Sequence, residues 1–422
     1  MRLDRVLKYT GLISAIVLAP VAAQAGATIT LLHSFDPDDY YWNADGAFPV
    51  AGLTLVGGVL YGTTSQGGGL ANGGSLFELD LKTQVYHSVH GFGGVGGHGI
   101  RHEYALPTYP LAGLVNVNGA LWGTTNQGGD VKGGGSGAVF KINRSSFGMK
   151  YIYNFPPGLY DLVNGAYPMA ALIYQAGSLY GTTAGFDNIF GISNGGSVFK
   201  IDPATGAETT LYLFSGGSDG NNPRSAVVYQ DGALYGTTYE GGAAGFGTVF
   251  KVDASTGAET VLYSFLGGGD GAFPNGLIFA NGVLYGTTAY GGAGACTSDW
   301  YSGCGTVFSV DPATGAETIV YSFQGGADGV LPLASPIFVK DSLYGTTSSG
   351  GGSGCPNGAG CGIVFKVNPR SGTESVVYSF GDGASGANPA APLIYSNGTF
   401  YGTAEKGGGG WGDGSIFSLK LK

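Results

Sequence analysis

A seven-bladed β-propeller, all-β and built of four-stranded antiparallel blades, is the fold that this 422-residue sequence predicts, and three observations carry it. The pentapeptide Leu-Tyr-Gly-Thr-Thr begins at Leu60, Leu179, Leu234, Leu284 and Leu343, with variants at Leu121 and Phe400, so seven copies recur about every 57 residues. A period of that length made of short strands is a blade repeat. Each repeat divides into four short strand-like runs separated by turn residues. At the ends, residues 28–35 match the fourth strand of the other repeats and residues 414–421 match the third. Seven strands of each type result only if the N-terminal strand pairs with the C-terminal one, which closes the ring and removes its exposed edges.

Residues 1–25 come first and read as a secretory signal. Arg2, Arg5 and Lys8 precede an apolar stretch from Gly11 to Ala23 and an Ala23-Gln24-Ala25 cleavage pattern. The apolar stretch is short for a membrane span, and no later segment reaches 18 apolar residues. The mature chain, residues 26–422, is therefore expected to be one propeller domain, secreted or periplasmic, without a membrane span and monomeric.

Within a repeat, the fifth is the clearest. Strands are predicted at residues 274–280, 283–288, 305–310 and 317–323. Asn281-Gly282 joins the first two, a two-residue hairpin turn that needs positive φ angles, and Asn118-Gly119, Asp231-Gly232 and Asn397-Gly398 are its equivalents. Asp311-Pro312-Ala313-Thr314-Gly315 joins the last two, where Pro starts a turn and Gly closes it. The glycine of each pentapeptide is expected where a neighbouring blade crowds the strand, and the adjacent Tyr or Trp is expected to fill space between blades. The second-to-third loops and the loops leading into each new blade share one face and are the long, variable ones. A ligand site belongs on that face or at the mouth of the channel.

Glycine supplies 83 residues without a Gly-X-Y period, while hydrophobic residues make up 43% and aromatics 13%, which excludes collagen and disorder. A net charge of −10 with no basic run gives nucleic acid nothing to bind. Four cysteines in an exported chain read as disulfides. Cys296 and Cys304 share one loop and Cys355 and Cys361 share the corresponding loop of the next repeat, so local pairing is expected over cross-loop pairing or a metal site.

The run Leu-Tyr-Gly-Thr-Thr, followed by Gly-Gly, Gly-Thr-Val-Phe-Lys-Val-Asp and Thr-Gly-Ala-Glu-Thr-Val-Leu-Tyr-Ser-Phe, as at Leu284 and at residues 247–265, resembles the Gloeobacter/Verrucomicrobia tandem repeat, or GloVer repeat. The resemblance implies export and carries no settled activity, so no functional residue is mapped from it. The Asp-x-x-Thr-Gly turn is also similar to that of quinoprotein propellers. Their tryptophan docking pattern is missing, since Trp occurs only at 42, 122, 300 and 411, and no quinone cofactor is expected.

Candidate binding residues are the aromatics that interrupt polar loops: Tyr41, Trp42, Trp300, Tyr301 and Trp411. Each offers a flat apolar face with a polar edge, suited to stacking on a sugar ring. Candidate metal ligands are His90, His98, His102 and Glu103, which crowd one segment and include imidazoles that titrate near neutrality. Asp-Gly-x-x-Pro recurs at Asp45, Asp219, Asp270 and Asp328, with Asn164 and Ser385 in its place elsewhere. That pattern reads as an Asx turn, with a Ca²⁺-binding ring of carboxylates as the alternative. No catalytic residue is assigned and no cofactor is expected, Ca²⁺ aside. The function that follows is an exported binding or interaction module for an extracellular polysaccharide or a cell-envelope protein. The alternatives are a glycan hydrolase or lyase using two carboxylates, such as Asp38 or Asp39 with Glu103 or Asp270, and a purely structural surface protein.

Overall fold

The computed structural model describes residues 27–35, 45–69, 72–93, 106–129, 135–156, 165–187, 193–297, 301–352, 355, 360–381, 385–408 and 412–422. The signal segment lies outside them. Seven four-stranded antiparallel sheets follow one another, each ordered first to fourth strand except at the ring closure. There Ala27–Ser34 pairs antiparallel with Ser415–Leu421, from Ala27 opposite Leu421 to Ser34 opposite Ser415, so the N-terminal strand is the outermost strand of the seventh blade. The fifth blade consists of Ala272–Ala280, Val283–Tyr290, Thr306–Val310 and Glu317–Ser322, in agreement with the sequence expectation. A two-stranded ribbon, Phe186–Asp187 with Ser193–Asn194, is added in the third blade.

Local chemistry places the turns. Asn118, Asp231, Asn281 and Asn397 have φ near +50° and the glycine after each lies between +81° and +85°, the paired left-handed conformation a tight hairpin requires. In the turn between third and fourth strands, Asp311 Oδ1 accepts the N–H groups of Ala313 at 2.8 Å and Thr314 at 2.9 Å. Asp202 and Asp253 do the same; these bonds, preceded at Asp253 by one from the Ser255 hydroxyl at 2.6 Å, hold all three carboxyls below the ordinary aspartate range.

The glycine of the pentapeptide answers to its own blade, which corrects the sequence expectation. Gly286 lies opposite Phe308 in the paired third strand, and a Cβ there would sit 2.5 Å from Phe308 Cζ. The same Phe sits opposite Gly62, Gly123, Gly181, Gly236, Gly345 and Gly402. The glycine is a socket for the phenylalanine of Gly-Thr-Val-Phe.

Between blades, three interactions repeat around the whole ring. The last Phe of each fourth strand packs on the third-strand Phe of the next blade, from Phe35 on Phe77 at 5.6 Å to Phe380 on Phe417 at 5.1 Å between ring centroids. These fourth-strand rings are almost wholly buried, and such aromatic pairs add about 0.5–1.5 kcal/mol each beyond burial. The first Thr of each pentapeptide donates its hydroxyl to a backbone carbonyl at the entry to the first strand of the next blade, as Thr63 to Ala112 at 3.2 Å, Thr182 to Ser225 at 3.1 Å and Thr287 to Ala334 at 2.9 Å. Thr124, Thr237 and Thr346 repeat this, and Thr403 reaches Ala51 at 3.1 Å to close the ring. Finally, the residue before the proline that recurs at the entry to each blade donates its N–H to the preceding blade, as Phe273 to the Phe246 carbonyl and Leu331 to the Cys304 carbonyl. All seven of these residues, Phe48, Tyr109, Tyr167, Asn222, Phe273, Leu331 and Asn388, have φ between +54° and +64°. A bulky residue there costs on the order of 1–2 kcal/mol, so its recurrence in every blade marks a device of the architecture rather than of one site.

A bulge interrupts the third-to-fourth strand pairing at the same place in every blade, for example between Val249 and Phe250, leaving Leu262 unpaired. The turn glycine of the next blade packs against that bulge: a Cβ on Gly315 would lie 2.4 Å from the Leu262 carbonyl oxygen. Bulges bend and twist a strand, and here the bend seats the neighbouring blade.

Candidate functional site

The long loops do share one face, and isolated bridges tie them to each other: Asn221 pairs with Glu240, and Val330 with Ser349. Between the fourth and fifth blades this face carries a cleft of about 400 Å³, floored by Gly216, Gly217, Gly241, Gly242 and Gly245 and walled by Asn221, Glu240, Phe246, Phe273 and Tyr301. Its shape follows from a local sequence difference. Phe273-Pro274-Asn275-Gly276-Leu277 is one residue shorter than its counterparts, such as Phe48-Pro49-Val50-Ala51-Gly52-Leu53. The first strand of the fifth blade accordingly extends from Ala272 to Ala280, with a register shift between Pro274 and Leu277, and Ala272 pairs with Tyr290. That pairing gathers an aromatic wall. Phe273 contacts Tyr301 at 4.5 Å, Tyr239 at 5.0 Å and Phe246 at 5.8 Å, and Tyr290 contacts Tyr301 at 5.2 Å. Phe273 is buried, while Tyr301 keeps 41% of its surface exposed.

The polar groups are few. Asn221 Nδ2 donates to Glu240 Oε2 at 3.2 Å, and the two residues exchange backbone bonds at 2.8 and 3.0 Å, so the carboxylate is fixed in place. Behind the wall, the Arg224 guanidinium stands 4.2 Å over the Tyr239 ring. Burial raises the Tyr239 phenol above its ordinary value, with Arg224 opposing. The disulfide Cys296–Cys304 anchors the segment that carries Tyr301, and Cys355–Cys361 does the same for the next blade, the local pairing the sequence implied.

Of the aromatic candidates, Tyr301 lies in the cleft; Tyr41, Trp42, Trp300 and Trp411 fall outside the described residues. His90 takes the place that Tyr263 holds in Tyr-x-Phe. It packs edge-on against Phe92 at 5.1 Å, and burial lowers its pKa. His98, His102 and Glu103 fall outside the described residues, and among the described residues no group of three or more His, Cys, Asp or Glu side chains is placed to hold a metal ion. Asp219, Asp270 and Asp328 sit at three separate seams, each engaged by its own turn. Asp270 accepts Tyr263 OH at 2.6 Å and Leu266 N–H at 2.7 Å, and Asp328 accepts Tyr321 OH at 2.8 Å and Gln324 N–H at 2.5 Å. At the ring-closing seam His33 Nε2 meets Asp45 Oδ2 at 2.9 Å while stacking on Tyr86 at 3.7 Å.

Sequence reasoning missed Asn221, Glu240, Phe246, Phe273 and Tyr290. The signal was present in two forms: the one-residue shortening before Leu277, and aromatics close behind Thr-Thr, with Tyr239 at the first position where other repeats carry Ser, Asn, Ala or Glu, and Tyr290 at the second.

Among solved structures, the chain is similar to an oligogalacturonate lyase in complex with manganese, at 12% identity and a TM-score of 0.53, covering 94% of this chain and 93% of the other. It is similar to the oligogalacturonate lyase of Vibrio parahaemolyticus at 10% identity and a TM-score of 0.50, covering 93% of each. It is also similar to the extracellular domain of a proposed hybrid two component system from B. thetaiotaomicron, at 12% identity and a TM-score of 0.56, covering 95% of this chain and 42% of that one. At these identities the likeness is one of fold. No curated protein matches the sequence. The profile of the Gloeobacter/Verrucomicrobia repeat matches residues 109–357 and 294–422, together most of the propeller. With its seven Leu-Tyr-Gly-Thr-Thr blades, the chain belongs to the Gloeobacter/Verrucomicrobia repeat family.

Proposed function

We propose that this protein is an exported binding module that takes a neutral oligosaccharide in the cleft between the fourth and fifth blades. The observation that carries the reading is the exposed Tyr301 ring, braced by Phe273 and Tyr290 beside the fixed Asn221–Glu240 pair. A flat aromatic face stacks on the C–H face of a sugar, and a side-chain amide with a carboxylate serves its hydroxyls. The carboxylate of Glu240 in the cleft and the net charge of −10 both disfavour a polyanionic glycan. Glycoside hydrolysis usually needs two carboxyl groups facing one bond, and among the described residues this cleft offers one. Two disulfides support an oxidising compartment. No helix among the described residues is long and apolar enough to cross a membrane.

The test is calorimetric titration of residues 26–422 with a panel of neutral and uronate oligosaccharides. Saturable binding of a neutral member, weakened about tenfold by Tyr301→Ala, a loss of ~1.4 kcal/mol, and also by Glu240→Gln, is expected. Binding that both variants leave unchanged, or binding of uronates alone, would refute the assignment.

A further inference from the structure

The inner strands of all seven blades enclose a second cavity, of about 460 Å³, along the propeller axis. Its upper collar is formed by the residue that follows each proline: Val50, Leu111, Met169, Leu333 and Ala390 in five blades and Arg224 in the fourth. In the fifth blade the equivalent Asn275 turns away, its amide donating to the Pro332 carbonyl at 2.7 Å. Below the collar the strands crowd together on small residues. A Cβ on Gly113 would lie 3.0 Å from the Gly52 carbonyl oxygen, and one on Gly276 would lie 3.0 Å from Ser335 Cβ. The result is a cup with an aliphatic collar toward the long-loop face, narrowed at its base and lined lower down by small residues that include Ser225 and Ser335.

Two features of this cup are unusual for a water-filled mouth. The collar is aliphatic at five of its six positions, and Leu333 leaves 38% of its surface exposed there. Arg224 is the one charged residue lining the cavity, and it is exposed. Its Nε donates to Asn222 Oδ1 at 3.0 Å and its guanidinium plane lies over Tyr239, which fixes its orientation. Among the described residues no carboxylate stands within ion-pairing distance of it. In a chain of net charge −10, an oriented guanidinium that no described carboxylate pairs with, set on an aliphatic rim, complements an aliphatic chain ending in a carboxylate. The cavity volume is that of a small-molecule site.

We propose that the axial cup binds a medium-chain fatty carboxylate, with the alkyl chain between Val50, Leu111, Met169 and Leu333 and the carboxylate on Arg224. This cavity is distinct from the saccharide cleft, and the two adjoin at the contact of Arg224 with Tyr239. The experiment uses the full mature chain and decanoate below its micellar concentration, followed by calorimetry and by the ¹³C-methyl resonance of Met169, identified as the signal that Met169→Leu removes. Saturable binding that shifts the Met169 methyl is expected, with affinity lowered about tenfold in Arg224→Gln, the share of one charge-assisted contact, and retained in Arg224→Lys. Decanol is expected to bind more weakly than decanoate to the natural chain and equally to Arg224→Gln. Arg224 is exposed, so an unchanged melting temperature in these variants separates loss of binding from loss of fold. Absence of a Met169 shift at saturating decanoate, or equal affinity of Arg224→Gln and the natural chain, would overturn the proposal.

Discussion

Raising the pH from 5 to 8 is expected to weaken this propeller through three carboxyl groups that repeat at consecutive seams. Glu259, Glu317 and Glu374 each begin a fourth strand, and in each the Oε1 atom is buried without a hydrogen-bond partner. Burial, followed by the negative charge of Asp219 and of Asp270 respectively, pushes Glu259 and Glu317 from 4.5 up to about 7; burial and Asp328 push Glu374 up likewise. Burial also acts on Asp219, but the bonds it accepts from Ser215 and Tyr212 outweigh it and hold that carboxyl below its ordinary value, so the proton of the pair rests on the glutamate. The folded state therefore binds more protons than the unfolded chain between about pH 4.5 and 7. The stability this provides is complete below 4.5 and is lost as pH rises through the folded values. A move from 4.5 to about 7 would be worth about 3.4 kcal/mol for a wholly buried group at 1.36 kcal/mol per pH unit. These side chains are partly solvent-exposed, and screening reduces each contribution to about 1 kcal/mol, or about 3 kcal/mol for the three. At about 2.1 cal/mol/K of unfolding entropy per residue, a chain of about 400 residues melts about 1 °C lower per kcal/mol, so the expected loss is about 3–4 °C. The assay is thermal unfolding from pH 5 to 8.5 of the natural chain and of the triple variant E259Q/E317Q/E374Q, whose amides imitate the protonated state. A pH dependence as steep in the triple variant as in the natural chain would show that these glutamates are not its source.

Two further outcomes test the packing. Thr287→Val keeps the shape of the side chain but removes its bond to the Ala334 carbonyl in a buried seam, and is expected to cost about 2 kcal/mol in denaturant unfolding. Thr260→Val on an exposed outer strand serves as the control and should stay within about 0.5 kcal/mol, and equal effects would remove the role assigned to the threonine ring. Gly286→Ala forces a methyl into the Phe308 ring and is expected to destabilise by about 1–3 kcal/mol. Phe308→Leu in the same chain should offset part of that loss, and strict additivity of the two changes would contradict the socket.

The sequence by itself determined the number of blades, the four strands of each, the hairpin turns and the closure of residues 28–35 on 414–421. All of these are written in local periodicity and turn chemistry that repeat seven times. Asn281-Gly282 can only be a tight hairpin, and a missing fourth strand at the C-terminus has a single spare strand to supply it. The pairing of Cys296 with Cys304 was legible for the same reason, since both lie in one loop. What the sequence could not show is which atoms meet across a seam. The threonine hydroxyl of one blade finds a carbonyl about 45 residues away, and the bulge at Leu262 matters because the turn at Gly315, in the next blade, rests on it. The candidate cleft is of this second kind. Gly216, Glu240 and Tyr301 come from three different loops and Phe273 from the first strand of the fifth blade, and the one-residue shortening before Leu277 brings their walls together. The axial cup is likewise assembled from all seven blades, and its collar, one residue from each of six, comes together only when the ring closes around one axis.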